Sequence, residues 1–408
     1  MNGNNKKTFS FQEAEQAVLA TIDRSPSEIV VLSEALQRIT ATDVLALIPQ
    51  PSFDESTRDG FVINVIDGPD GRQNLYKVAD EIPAGKPSQT ILEPGTACRI
   101  MTGGCVPEGG ERVVPYENCA EGDGVVSITD NSLQVRATFI RKTGSEIAQG
   151  ERLLGCGVQL EGAHLGLLAS CGVHDVSVFV RPSVGYVCTG SELTAATEVL
   201  EVGQKVSSNS FLLEGLLASV GARPVNLGVI KDSEHELLAL FAKVVADELD
   251  VLITTGGMGP GKYDLVEKAF VEAGGKIVFN AISMRPGKSF LFGTLGRTLF
   301  FGLPGPPHAV RTLLNTLVGP ALLAMQGLKG SWSKRVQAHL QHEIGVKRND
   351  VLRLKDGVLM LDEGRCSVRL AGGLEVGNCF VLLPPGQSHY REAELVEVHL
   401  AIDLSAGW

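Results

Sequence analysis

The run Val251-Leu252-Ile253-Thr254-Thr255-Gly256-Gly257-Met258-Gly259-Pro260-Gly261-Lys262-Tyr263-Asp264 decides how the middle of this chain folds. Its β-prone residues pass directly into a glycine-rich loop. A short apolar run of this kind suits a strand buried on both faces. Glycines just past such a strand let backbone N–H groups approach an anion. The arrangement recurs where Thr298-Leu299-Phe300-Phe301 leads into Gly302-Leu303-Pro304-Gly305-Pro306-Pro307. Two such loops in one segment point to a nucleotide-like ligand or an oxyanion. Around them, strand patterns at 184–189, 224–230, 251–255 and 276–279 alternate with helix patterns at 211–220, 233–247, 265–273 and 308–325. That alternation predicts a parallel sheet covered by helices on both faces.

The first loop has the spacing of a P-loop from Gly256 to Gly261-Lys262, but Tyr263 stands where a Ser or Thr would ligate Mg²⁺. ATPase chemistry is therefore not expected, and Asp264 offers an acidic metal ligand instead. A glycine turn with no ligand is the plain alternative. Thr189-Gly190-Ser191-Glu192 follows the first strand of the segment and offers hydroxyls and a carboxylate, or simply a helix start. Ser208-Asn209-Ser210 reads as a helix cap, and Met284-Arg285-Pro286-Gly287-Lys288-Ser289 sets two cations around a turn suited to an oxyanion.

Towards the N-terminus, residues 8–23 read as a helix, with Ser10 and Glu13 forming a capping box and Phe11, Ala14, Val18 and Ile22 at helical spacing. A short helix is expected near 33–38. From about 43 to 135, short β-rich runs alternate with Gly, Pro and Asp turns, which predicts a small all-β module. Within it, Asp59-Gly60 is an ordinary turn pair and Arg99-Ile100-Met101-Thr102-Gly103-Gly104 a second polar loop. Helical character returns at 164–170, before a strand at 175–180. Residues 329–333 read as a linker, and the remainder alternates like a β-barrel or sandwich.

Composition narrows the classes. A chain of 408 residues exceeds one compact core and implies several domains. A net charge of −11 argues against a nucleic-acid surface, though not against a local cationic pocket for a small anion. No apolar stretch is long enough to span a bilayer, and the N-terminal lysines lack an apolar core behind them. The eight cysteines include no C-x-x-C pair and the histidines no metal-ligand spacing, so reduced thiols in a cytoplasmic protein are expected. Cys105 and Cys188 read as packing residues.

Seven stretches, in order, resemble the molybdopterin molybdenumtransferases (MoeA and the E domain of gephyrin). They are Thr57-Arg58-Asp59-Gly60-Phe61, Arg99-Ile100-Met101-Thr102-Gly103, Gly144-Ser145-Glu146-Ile147, Thr189-Gly190-Ser191-Glu192-Leu193, Thr255-Gly256-Gly257, Arg285-Pro286-Gly287-Lys288 and Leu303-Pro304-Gly305. The resemblance implies an α/β plus β fold: an elongated subunit with a central three-layer, MogA-like α/β domain (181–327) and an inserted β domain (45–135). A helical and mixed linker domain (8–44 with 136–180) and a C-terminal β-barrel (328–408) complete it. It implies a homodimer whose site lies between the α/β domain of one subunit and the β domain of the other.

The activity implied is insertion of molybdenum from molybdate into adenylylated molybdopterin with release of AMP, the last step of cofactor assembly. Transient contact with an adenylyltransferase and with apo-molybdoenzymes is expected. By position, Asp59, Glu192 and Asp264 match catalytic acids of the family, and Asp59, Asp232 and Asp264 its Mg²⁺ ligands. Thr102, Thr189, Gly190, Ser191, Gly256, Gly257, Gly261, Arg285, Lys288, Pro304 and Pro307 match substrate-binding positions. A non-catalytic scaffold paralogue and an adenylyltransferase are the alternatives. The chain departs from the family's Gly-Gly-Val-Ser-Val-Gly at 256–261 and Pro-Gly-Asn-Pro-Val-Ser at 304–309. A lysine usually found four residues before Arg285 is Ala281, and an aspartate in the 144 loop is Glu146.

Overall fold

The computed structural model describes residues 7–65, 67–68, 71–72, 74–86, 89–129, 133, 136–194, 199–258, 265–329, 334–362 and 364–402. Helix α1 (Phe11–Thr21) starts at the expected capping box: Ser10 Oγ accepts from Glu13 N–H, and the Glu13 carboxylate accepts from Ser10 N–H. Its apolar stripe of Phe11, Ala14 and Val18 packs into the core of the α/β domain. Downstream, the segment expected as a helix near 33–38 is a single 3₁₀ turn, Leu32–Glu34. The chain turns away directly after it, where Gln37 N–H donates to Leu160 O and Thr40 Oγ1 donates to Gly155 O at 2.7 Å in the turn at 155–158.

The inserted module is a six-stranded sheet of β1 (Gly60–Ile63), β2 (Leu75–Ile82), β3 (Thr96–Ile100), β4 (Arg112–Pro115), β5 (Cys119–Gly122) and β6 (Val125–Ile128), in the order β4-β1-β3-β2-β6-β5. Strict alternation sends Phe61 and Ile63 into one small core and Val62 into another. Helix α2 (Gly162–Ser170) follows, packed in a separate cluster with Val176 and Val178.

The central domain comprises β7 (Ser183–Thr189), α3 (Ser208–Ser219), β8 (Arg223–Ile230), α4 (Glu234–Ala246), β9 (Val251–Thr255), α5 (Val266–Glu272), β10 (Lys276–Phe279), β11 (Met284–Arg285), β12 (Leu291–Leu295), β13 (Thr298–Leu303), α6 (Pro307–Leu313) and α7 (Gly319–Met325). Its sheet runs β8-β7-β9-β13-β12-β10. The first four strands are parallel; β12 pairs antiparallel with β13 and with β10, so β12 alone runs against the others. The sheet is thus mixed where the sequence pattern predicted a parallel one. The reason is local: only Gly296-Arg297 separates β12 from β13, and two residues can close a hairpin but not a parallel crossover.

Both faces are covered. Val251, Ile253 and Phe301 point to the side of α1, α3, α6 and α7. Leu252 and Phe300 point to α4 and α5, where Phe300 stacks on Phe270 at 4.3 Å. The expected helix at 308–325 is broken by a π-helical turn at Leu314–Val318. Pro320 has no N–H to give the preceding turn, which accounts for the widening there.

The C-terminal strands β14 (Arg335–Leu340), β15 (Leu352–Asp362), β16 (Arg365–Leu370), β17 (Cys379–Leu383) and β18 (Leu395–Leu400) close into a ring, β15-β16-β14-β18-β17 and back to β15. This is a five-stranded β-barrel. The sequence reading did not mark β16, although Arg365-Cys366-Ser367-Val368-Arg369-Leu370 alternates polar and apolar as a half-buried strand should. The barrel is tied to the α/β domain by β11 on β15 and by Arg311, which donates to Asp356 at 2.6 Å and to Gly377 O at 2.6 Å.

Candidate functional site

The carboxyl ends of β7, β8, β9 and β13 surround a cavity of about 680 Å³, the position where open α/β sheets bind ligands. β7 delivers Thr189, Gly190 and Glu192, β8 delivers Asp232, β9 delivers Thr255 to Met258, and β13 delivers Pro304 to Pro307. The sequence-predicted residues Thr189, Gly190, Glu192, Asp232, Gly256, Gly257, Pro304 and Pro307 are therefore brought together. Ser191 sits beside them, its N–H donating to Asp232 Oδ2 at 3.2 Å. Gly261 and Asp264 lie outside the described residues.

The glycines act in different ways. Gly256 has φ +96°, and a Cβ there would lie 2.3 Å from Thr189 O, so no side chain fits. Its N–H is already taken by Leu303 O at 3.0 Å, so it serves close approach and does not donate to a ligand. The N–H groups of Gly257 and Gly305, by contrast, have no acceptor among the described residues. Met258, where the family has valine, is turned onto the sheet: a methyl on Gly302 would meet its Sδ at 2.8 Å.

Ser208 and Asn209 also line the cavity. They were expected as a cap, but they form the first turn of α3, whose N-terminus carries no side-chain cap. Their N–H groups add to the positive end of a three-turn helix. Asn209 is only 8% exposed. Its Nδ2 donates to Gly305 O at 2.8 Å and to Thr255 Oγ1 at 3.2 Å, fastening the two glycine loops to each other. Its Oδ1 is buried and has no partner among the described residues. Lys205, Val206 and Ser207 are lining residues that sequence reasoning passed over, and Asn209 was read only as part of a cap. The signal for Asn209 was the polar run Ser207-Ser208-Asn209-Ser210 placed directly before an apolar helix.

Arg285 and Lys288 line an adjoining cavity of about 490 Å³, which shares Ser289, Pro304 and Pro306 with the first. Asp59 and Thr102 are brought together, but in the inserted β domain and away from the lining of either cavity. Asp59 Oδ1 accepts from Thr102 N–H at 2.6 Å and from Thr102 Oγ1 at 2.8 Å. These bonds, the backbone one first, hold the exposed Asp59 carboxyl below the usual carboxylate range. The pairing of Gly60 with Ile100 in β1 and β3 places the two loops side by side.

Cys188 is buried beneath the site, 3.4 Å from Ser210 Oγ. Burial, and secondarily Asp54, push the Cys105 thiol up, so neither cysteine is placed as a nucleophile. Among the described residues no cluster of three or more His, Cys, Asp or Glu side chains could hold a metal. Glu192 and Asp232 do face one cavity, and Mg²⁺ often uses one or two carboxylates plus ligand phosphates. The donor set fits an ion shared with a phosphorylated ligand.

Residues 9–172 match the family described as MoeA N-terminal region (domain I and II), and residues 185–324 that described as probable molybdopterin binding domain. A molybdopterin molybdenumtransferase from Nostoc sp. is 32% identical over 89% of this chain and 86% of its own length. One from Haemophilus influenzae is 32% identical over 91% and 93%. Two structures of the molybdopterin biosynthesis MoeA protein from Pyrococcus horikoshii superpose with TM-scores of 0.81 and 0.78 at 26% identity, covering at least 97% of this chain and 100% of theirs. With both family regions present in order and full-length relatives of this similarity, the chain belongs to the MoeA family of molybdopterin molybdenumtransferases.

Proposed function

We propose that this protein inserts molybdenum from molybdate into adenylylated molybdopterin, releasing AMP. The observation that carries the reading is the larger cavity. It combines unengaged Gly257 and Gly305 N–H groups, the open N-terminus of α3, Lys205 and two carboxylates, beside a cationic neighbour. Backbone donors and a helix N-terminus suit a diphosphate. The neighbouring Arg285 and Lys288 suit a small oxyanion.

In this scheme, Thr189, Ser208 and the free amides hold the diphosphate while Asn209 keeps the loops at fixed separation. Glu192, Asp232 and Asp264, with Asp59 of the partner subunit, would hold Mg²⁺, which neutralises phosphate charge when bound. The Thr102 bonds favour the charged form of Asp59 and hold it below the usual carboxylate range, which makes it a weak base. Its part is therefore to hold Mg²⁺ and orient the water that cleaves the pyrophosphate bond, not to take that water's proton. Pro304 and Pro306 stiffen the rim shared by the two cavities.

A homodimer is part of the proposal. Asp59 and Thr102 lie outside the cavities of their own subunit, so they serve a site only if a second copy presents them. Exposed apolar side chains on the N-terminal mixed region support such pairing: Ile29 is 76% exposed, Leu36 50% and Val31 46%. Among the described residues no helix is long and apolar enough to cross a membrane. The full-length transferase relatives do not favour the scaffold or adenylyltransferase alternatives. The test is to mix the protein with Mg²⁺, molybdate and adenylylated molybdopterin. AMP release and activation of an apo-molybdoenzyme are expected; binding of the pterin without nucleotide release would refute the proposal.

A further inference from the structure

Asp59 does not stand alone at its end of the inserted sheet. The pairing of β4 with β1 sets Pro115 opposite Gly60, so the next residue, Tyr116, lies beside Asp59. Tyr116 N–H donates to Asp59 O at 3.2 Å, and Cys119 N–H closes a 3₁₀ turn over Tyr116–Asn118 by donating to Tyr116 O. The Tyr116 ring stands edge-on to the buried Phe61, with centroids 5.4 Å apart and planes at 90°. Backbone and ring are both fixed. Yet the residue is 37% exposed, and its hydroxyl has no partner among the described residues.

Asp59 is open in the complementary sense. Both bonds from Thr102 go to Oδ1, and Oδ2 accepts from none of the described residues. Arg99, opposite Phe61 on β3, is already engaged: its Nε donates to Glu121 Oε2 at 3.2 Å and its guanidinium pairs with Glu81 at 3.8 Å. With Asp59, Glu81 and Glu121 set against one arginine, this corner is net negative. A phosphate meets such a corner through a shared cation and through neutral donors. Tyr116 is a neutral donor. Burial first, and then the Glu81 charge, push its phenol above the ordinary value, so it keeps its proton. The Asp59 charge acts on it in the same direction. Neither Asp59 nor Tyr116 lines either of the two cavities of its own subunit.

We propose that Tyr116 is a further catalytic residue of the shared site, its phenolic O–H donating a hydrogen bond to a pyrophosphate oxygen of the nucleotide held by the partner subunit. The proposal rests on the molybdenum-insertion reading and on the paired subunits that belong to it. Asp59 serves the cation and the attacking water, while Tyr116 answers the charge that builds on phosphate. The water oxygen forms the new bond to phosphorus, the bridging oxygen leaves on the other phosphate with the electron pair, and a water proton passes to solvent. Tyr116 keeps its own proton throughout, and its hydrogen bond strengthens as negative charge grows on the oxygen it holds.

The experiment is single-turnover AMP release by the full-length protein with Mg²⁺, molybdate and adenylylated molybdopterin, alongside equilibrium binding of the nucleotide. Tyr116→Phe deletes the hydroxyl and keeps the ring against Phe61, so thermal unfolding should match the parent. AMP release should slow about 10- to 100-fold, the scale of one hydrogen bond to a charged oxygen, while nucleotide affinity stays parental. The loss should be constant from about pH 6 to 9, because the phenol is protonated across that range. Mixed with Glu192→Gln subunits, Tyr116→Phe should show a parental fast phase at about a quarter of all sites. Those sites join the intact cavity of one subunit to the native Tyr116 of the other. If Tyr116→Phe releases AMP at the parental rate, the inference fails and the insertion reading stands. If nucleotide binding weakens as much as release slows, the hydroxyl is a ground-state contact and the catalytic role fails. If the mixture shows no fast phase, Tyr116 does not serve the partner's cavity and the inference fails. If the parent binds the nucleotide but releases no AMP, the inference and the insertion reading both fail.

Discussion

Replacing Asn209 separates two accounts of the larger cavity, because the side chain is both buried and engaged in one direction only. Asn209→Ala removes two donations from Nδ2, to Gly305 O and Thr255 Oγ1, at 2.8 Å and 3.2 Å. At about 1 kcal/mol each, roughly 2 kcal/mol of coupling between the glycine loops is lost. Asn209→Asp has nearly the same shape but replaces the donor with a carboxylate oxygen facing the Gly305 carbonyl. It also buries a charge at a site only 8% exposed. The isosteric Asp should therefore be worse than Ala, reversing the order that volume alone predicts. Pterin-nucleotide titration and AMP release read the loops, and thermal unfolding reads the fold. The expected result is about 30-fold weaker nucleotide binding for Ala, from 2 kcal/mol, and a larger loss for Asp. Parent-like binding by Asn209→Asp would show that the Asn209 bridge does not set the loop geometry.

Gly256→Ala should abolish nucleotide binding while leaving the protein folded, because its Cβ would fall 2.3 Å from Thr189 O at φ +96°; titration and circular dichroism check this. Phe300→Ala should cost about 3–5 kcal/mol in denaturant unfolding, since Phe300 is fully buried and stacked on Phe270. His399 tests pH dependence. It is 1% exposed, its ring lies 5.9 Å from Phe11, and burial, then Arg335, push its pKa down to about 3. Its stability contribution is complete above the unfolded value of 6.5 and is lost as pH falls from there towards about 3, because only the unfolded chain takes the proton readily. Glu15, Arg335 and Glu397 surround it. His399→Phe should flatten the stability profile between those limits, measured by denaturant unfolding across pH.

Much of the α/β domain was legible because its strands are short, apolar and end in glycine loops: 251–255 and 276–279 were bounded in the sequence as they stand in the structure. The antiparallel edge was not, since the run into Phe301 was read as one strand and the preceding strand Leu291–Leu295, two residues away, was not marked. Similarly, periodicity carried straight through the π-turn at 314–318, because a widened turn leaves apolar spacing almost unchanged. At the site, glycines and charged residues were visible by type. The Asn209 bridge was hidden because Ser-Asn-Ser before a helix satisfies capping preferences equally well. The pairing of Arg285 with Arg353 was beyond reach, since it depends on strand register between segments 68 residues apart.

The shared site is tested most directly by mixing subunits. Asp59→Ala and Glu192→Gln proteins should each be inactive alone. If Asp59 serves the cavity of its partner, a mixed dimer contains one doubly damaged site and one intact site. Random mixing makes about half the dimers mixed, so about a quarter of parental AMP release should return. Mixed dimers, verified as such by differential tags, that remain inactive would place both residues in the site of a single subunit and contradict the account.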